Sequence, residues 1–253
     1  MNNIRRFLAA SLISVAAVGS AHAWSWSFGG SQRIEGGGDV TTESRDVGAF
    51  DAVGLSGSFK VVVRQGTTDK VEIKADRNLL PYLETKVSEG SKGRTLEINS
   101  KRGFQLSAST TPVIFLEMRQ LRGLSIAGSG EISVEPMKTA GPVDASIAGS
   151  GDIRINGLDA ERVGLRVSGS GDIVASGKAN SLSVSVAGSG DVRARGLVVD
   201  EAKVSIAGSG DVSVQAAKRL NVSIAGSGDV GYMGNPEISM SNAGSGRVRK
   251  LKD

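Results

Sequence analysis

From Leu124 onward, aliphatic and polar residues alternate with a period of two, and a glycine turn cuts the alternation at near-regular intervals. Around Gly208, Val204 and Ile206 fall on one face and Lys203 and Ser205 on the other; past the turn, Val212 and Val214 resume the pattern. Period-two alternation carried by valine and isoleucine predicts half-buried strands and not helices. Each turn reads Gly-Ser-Gly-acid. Copies run Ile126–Glu131, Ile147–Asp152, Val167–Asp172, Val186–Asp191, Ile206–Asp211 and Ile224–Asp229, with a degraded last copy at Asn242–Arg247. Their first glycines stand at 128, 149, 169, 188, 208, 226 and 244, in steps of 18 to 21 residues. A near-fixed period of this size is the signature of a solenoid. The turn keeps its length, so the variation falls in the return segments, Gly157–Ala160 and Gly196–Glu201.

One unit of strand, turn and strand buries little by itself. Stacked at about 4.8 Å per coil, successive units align their inward residues into columns. Leu124, Ala145, Leu165, Val184, Val204 and Val222 form one expected column, and Ile126, Ile147, Val167, Val186, Ile206 and Ile224 a second. Ile132, Ile153, Ile173, Val192, Val212 and Val230 face them across the turn. Burying each Val or Ile contributes roughly 1.5–3 kcal/mol, enough for a core. The predicted fold is therefore all-β: a right-handed parallel β-helix with Gly-Ser-Gly turns. Asn242 at an inward position and Arg247 in place of the acid mark an atypical terminal coil.

Residues 44–123 carry the same grammar less regularly. Val53, Leu55, Ser56-Gly57-Ser58 and Lys60–Val63 read as a worn first copy. Strands are expected over Val71–Ala75, over Tyr82–Val87 paired with Thr95–Ser100 across Gly90/Gly93, and over Val113–Met118, with a helical turn within Asn78–Leu83. This half is expected to continue the stack in longer coils and to close its first end. Residues 24–43 read as a flexible lead-in, and 44–253 as a single domain, regular over 124–250.

Residues 1–23 have the layout of a secretory signal: Arg5-Arg6, an apolar run Phe7–Val18, and the small-x-small site Ala21-His22-Ala23. The apolar run is too short to span a membrane, and no later stretch is longer. An exported protein, periplasmic or at the cell surface, is expected. Cleavage would remove the only histidine and two of the 30 basic residues, leaving 28 against 26 acidic ones. That balance does not point to nucleic acid. The chain contains no cysteine, so stability rests on the stacked core and not on disulfides.

Arg45-Asp46-Val47-Gly48-Ala49-Phe50-Asp51-Ala52-Val53, Ala75-Asp76-Arg77-Asn78-Leu79-Leu80-Pro81-Tyr82 and the run of Gly-Ser-Gly-Asp turns resemble the "putative auto-transporter adhesin, head GIN domain" family. The likeness covers roughly residues 44–250. It implies a right-handed parallel β-helix similar to pectin-lyase-like folds, export by bacteria and a role in cell adhesion, with no catalytic residues attributed to the family. The sequence shows no β-barrel pattern and no heptad stalk, so self-insertion into an outer membrane is not expected.

The stacked turns place Ser129, Ser150, Ser170, Ser189, Ser209, Ser227 and Ser245 in one ladder, and Glu131, Asp152, Asp172, Asp191, Asp211 and Asp229 in another. Adjacent carboxylates repel by about 1 kcal/mol or less in water, so something offsets them. One reading has each Asp accept backbone N–H groups of its own glycine turn. The other places calcium between neighbouring carboxylates, with Asp152, Asp172, Asp191, Asp211 and Asp229 as ligands. The nine-residue period of the calcium-binding solenoid motif is about half the period here. The serine ladder has no histidine to serve as base, and the hexapeptide acyltransferase helix, a rival on period alone, likewise needs one. Catalytic residues and cofactors are therefore expected to be none. The expected function is a non-enzymatic envelope or surface interaction module that contacts a glycan, a surface protein or a second copy of itself through its polar faces. The alternative is a carbohydrate-active enzyme of pectin-lyase-like fold, since paired acids suffice for that chemistry.

Overall fold

The glycine turns dictate how closely successive coils approach. In the computed structural model, which describes residues 31–90 and 93–252, the first glycine of every turn but the degraded last one takes a left-handed backbone, with φ from +124° at Gly128 to +141° at Gly208. The second glycine does not. Gly190 is a glycine because a Cβ there would overlap the Gly171 carbonyl oxygen of the preceding rung and lie 2.8 Å from Val167 Cγ1. The turns also bond to one another: the amides of Ser150, Ser170, Ser189, Ser209, Ser227 and Ser245 each donate, at 2.9 Å, to the first glycine of the rung before.

The result is a parallel β-solenoid of about six turns. Ile126, Ile147, Val167, Val186, Ile206, Ile224 and Asn242 stand in one unbroken register. All three predicted columns are buried from end to end. The return segments are themselves strand: Asp152–Gly169 runs continuously through a corner, and the length variation is absorbed by register shifts at Ile155/Leu158, Val174/Ser176 and Ala194/Val198. Each rung therefore has three sides. We call the side that includes Val163–Gly169 the first face and the side that includes Asp152–Ile155 the second.

The N-terminal half departs from the expected order. Ala52–Gly57 and Lys60–Gln65 form a rung whose register matches the repeat, Leu55 beside Ile126 and Val61 beside Ile132. The chain then passes outward and returns, so that Gly93–Ser100 and Val113–Met118 lie on the other side of that rung. The rung 52–65 is thus held between segments 93–118 and 123–134. Beyond it, three antiparallel strands close the end: Lys70–Asp76 on Val113–Met118, Val40–Arg45 on Lys70–Asp76, and Leu83–Gly90 on Gly93–Ser100. The expected helical turn is a short 3₁₀ segment, Leu80–Tyr82.

The stretch read as a flexible lead-in is, in its described part, built into the fold. Gln32–Glu35 pairs in parallel with Phe104–Ser107, and Val40–Arg45 joins the closing strands. The sequence pattern missed this because the tether is made by side chains elsewhere. Buried Asp76 accepts the Gly38 amide (2.9 Å), the Ser109 amide (2.9 Å) and the Ser109 hydroxyl (2.5 Å). Asn78 binds the Gly37 amide and the Glu35 carbonyl, and Arg77 binds the Asp39 carboxylate. Ser109 holds the Asp76 carboxyl below its ordinary pKa, through the hydroxyl first and the amide second. Residues 1–23, read from the sequence as a secretory signal, and residues 24–30 lie outside the described residues.

Candidate functional site

The acid ladder lies in register along the corner at which the second face begins. Lys60, Glu131, Asp152 and Asp172 are successive members. From there the ladder is linked by its own carboxylates. Asp172 accepts the Asp191 amide (3.1 Å), Asp191 the Asp211 amide (2.9 Å), Asp211 the Asp229 amide (2.9 Å) and Asp229 the Arg247 amide (2.9 Å). Asp172, Asp191, Asp211 and Asp229 therefore cap the backbone of the following rung and not their own glycine turns, which corrects the first sequence reading. The reason is geometric: the turn amides are already taken by glycine carbonyls of the rung before.

Arginines on the adjoining outward column offset the remaining charge. Arg193 reaches Asp172 at 2.9 Å and Asp191 at 2.8 Å. Arg154 reaches Glu131 at 2.6 Å and Asp152 at 3.7 Å. Each end of the ladder carries a cation: Lys60 stands 3.6 Å from Glu131, and Arg247 2.9 Å from Asp229. The Arg247 guanidinium and then its amide hold the Asp229 carboxyl below the ordinary carboxylate range, with a smaller contribution from nearby Arg249. The degraded sixth residue of the last copy is thus the ladder's terminator. Among the described residues, no group of three or more His, Cys, Asp or Glu side chains is gathered closely enough to hold a metal ion. The candidate calcium residues Asp152, Asp172, Asp191, Asp211 and Asp229 are spaced one per rung, with amides and guanidinium groups between them.

Near the last rungs this face is hollowed. Arg193, Ser213, Gly231 and Arg249 are successive residues of one outward column. The two small middle members leave a depression of about 350 Å³. Arg193 and Arg195 line one side, Arg249 lies opposite, and Asp191, Asp211 and Asp229 run along its margin. Arg193 is paired, whereas Arg195 and Arg249 make no ion pair among the described residues. Arg193 and Arg249 stand three rungs apart, about 14 Å at the ordinary strand spacing. Sequence reasoning singled out the acids and missed these arginines, whose only sequence signal is an outward position in the alternation, Arg193 and Arg195 two and four residues after Asp191 and Arg249 two after Arg247.

The first face is different in kind. Ser125, Ser146, Ser185, Ser205, Ser223 and Ser241 form one outward column, interrupted by Arg166. Beside it Ala127, Ala148, Ala187, Ala207, Ala225 and Ala243 form another, interrupted by Ser168. It is a flat surface of small side chains.

A solenoid with a filled interior and long, flat, ordered polar faces defines a protein that presents surfaces. Among the described residues no helix is long and apolar enough to cross a membrane. The chain belongs to the "Putative auto-transporter adhesin, head GIN domain" family, whose profile matches residues 49–236. Among solved structures, it is similar to a "putative lipid binding protein" from Parabacteroides distasonis, at 30% identity and a TM-score of 0.72, over 87% of this chain and 100% of that one. It shares its fold with a "putative adhesin" from Bacteroides fragilis (21% identity, TM-score 0.77, 86% of this chain and 100% of that one). A "putative adhesin" from Parabacteroides merdae has the same fold (22% identity, TM-score 0.70, 87% and 100%). No curated protein matches the chain.

The family resemblance rested in part on Arg45 and on Asp76–Leu80, and the structure gives these residues an architectural role. The Arg45 guanidinium donates to the carbonyl oxygens of Leu83 (2.5 Å) and Leu80 (2.8 Å), fixing the 3₁₀ turn against the closing strands. Asp76 and Asn78 tether the N-terminal glycines. These motif residues make the end of the solenoid.

Proposed function

We propose that this protein is a non-enzymatic, exported interaction module that binds an extended acidic glycan along its arginine-bearing second face. The observation that supports this most is the hollow between Arg193/Arg195 and Arg249, in which two guanidinium groups without ion-pair partners among the described residues flank Ser213, Gly231 and the Leu251 side chain that packs on it. Arginine forks suit carboxylate and sulfate groups geometrically, and serine and the marginal carboxylates suit sugar hydroxyls. The rigid strands hold these groups in place, so little ordering entropy is lost on binding. Asp191, Asp211 and Asp229 run along the margin of this hollow, but each carboxylate accepts the backbone amide of the following rung, which supports a binding role over hydrolysis.

The similar Parabacteroides protein carries a lipid-binding name, but the interior here is filled by the buried columns, so a lipid would have to bind on the outer surface. The test is retention of the purified chain 24–253 on immobilised acidic and neutral polysaccharides and on vesicles. Retention on acidic polysaccharide that weakens with salt, and at least tenfold in an Arg195→Ala/Arg249→Ala variant, is the expected result. Equal binding of parent and variant, or retention on vesicles alone, overturns the reading.

A further inference from the structure

The two ends of the solenoid are finished differently. The first is covered by antiparallel strands bearing Glu43, Arg45, Glu84 and Lys86. At the second end lies Glu237–Gly244, an eight-residue strand that pairs on one side only, with Arg219–Gly226. Every residue of it is exposed. Its register places Ile238, Met240 and Asn242 in the columns that Leu220, Val222 and Ile224 occupy one rung earlier. Those three are buried, whereas Ile238 is 39% and Met240 57% exposed. Asn242 is satisfied internally, donating to the Gly246 carbonyl at 2.6 Å. Among the described residues nothing pairs with the outer edge of this strand. A long, flat edge with apolar inward positions invites another strand.

We propose that this end is an interface between two copies of the chain, joined through Glu237–Gly244 about a two-fold axis. Three features select a second copy. The unmet backbone donors and acceptors call for another strand edge. The exposed columns repeat the cross-section of a rung, and among the described residues the one other uncovered surface of that outline is the same end of another molecule. The opposite end is closed by charged strands, so head-to-tail stacking has no receiving surface, and an isologous pairing remains.

Edge strands related by a two-fold axis run antiparallel, and inward residues meet inward residues only in alternate registers. The register centred on Ser239 sets Ile238 of each copy against Met240 of the other, in both places. The area sets the strength. A rung of about 18 residues at ~3.3 Å each gives a three-sided outline ~60 Å round. With its outward side chains it covers about 450 Å², or about 900 Å² for both copies. That lies below the range of stable specific interfaces and in that of weak, reversible ones, so a dimer with a dissociation constant no tighter than micromolar is expected. The proposal does not depend on the glycan reading.

The test is sedimentation of the chain 24–253 over a wide concentration range, with Met240→Lys as the disrupting variant. Met240 is largely exposed, so this variant folds, and an unchanged circular-dichroism melt at low concentration checks that it does. The chain has no cysteine, so Ser239→Cys gives each molecule a single thiol. Next to the axis it sits opposite its own copy, at cross-strand distance. The expected results are concentration-dependent dimers, at least a tenfold weaker association in Met240→Lys, and oxidative cross-linking of Ser239→Cys but not of Ser185→Cys on the first face. A parent that stays monomeric at high concentration, a Met240→Lys variant that dimerises equally well, or equal cross-linking of the two cysteine variants overturns it.

Discussion

Replacing Gly190 by alanine separates two explanations of the glycine turn. If glycine were needed only for its backbone freedom, Gly190→Ala would be nearly neutral, because Gly190, unlike Gly188 (φ +132°), does not take the left-handed conformation. The stacking argument expects a large loss. The new methyl group would overlap the Gly171 carbonyl oxygen and press on Val167 Cγ1 at 2.8 Å, so the two rungs must separate locally. Overpacking of this kind costs about 1–3 kcal/mol. The separation also stretches the bonds from the Ser189 and Gly190 amides to the Gly169 carbonyl, 2.9 and 3.1 Å long. Each weakened bond adds about 1 kcal/mol at most, giving a loss of about 1–5 kcal/mol. The comparison is Gly141→Ala, where an added Cβ meets nothing within 4 Å and a neutral to slightly stabilising change, up to about 1 kcal/mol, is expected. Denaturant unfolding followed by far-ultraviolet circular dichroism gives both values, provided the slopes agree. A Gly190→Ala loss below about 1 kcal/mol, with a large loss for Gly188→Ala, would refute the stacking argument.

Two further outcomes follow from the polar contacts. The Asp76 carboxyl is depressed below its ordinary value by Ser109, so its contribution is fully present above the unfolded-state pKa and is lost as pH falls through the folded-state value. Asp76→Asn is expected to lower the melting temperature at neutral pH and to narrow its gap to the parent in acid; a gap that widens on acidification would contradict this. Millimolar calcium or a chelator is expected to leave the melt unchanged, because the ladder carboxylates are occupied by amides and guanidinium groups; a calcium-dependent rise of several degrees would reinstate Asp152, Asp172, Asp191, Asp211 and Asp229 as ligands.

The regular half of the fold was legible because its determinants are local. Ile147, Val186 and Ile206 each sit in an alternating run beside an invariant turn, and translation by one period gives the whole register. What failed to show depends on neighbours distant in the chain. Gly190 looks like a turn residue in sequence, but its constraint comes from Gly171 in another rung. Asp191 looks free to serve its own turn, yet its carboxylate caps Asp211. The stretch 32–39 has little apolar pattern of its own and is ordered by Asp76 and Asn78, some forty residues away. Arg195 and Arg249 acquire meaning only when Ser213 and Gly231 are set between them.

The placement of 52–65 between two segments made later in the chain has a bearing on how the molecule is assembled and how it can be cut. From 123 onward a growing stack can lengthen by simple accretion, each new coil finding a finished template beneath it. The opening block has no such luxury: its innermost layer waits for residues some forty to fifty positions downstream on one flank and about seventy on the other, so these contacts are won together or not at all. Deletions from the far end should therefore shorten the molecule in graded steps, whereas a break anywhere before about residue 122 removes the template on which every subsequent coil is laid.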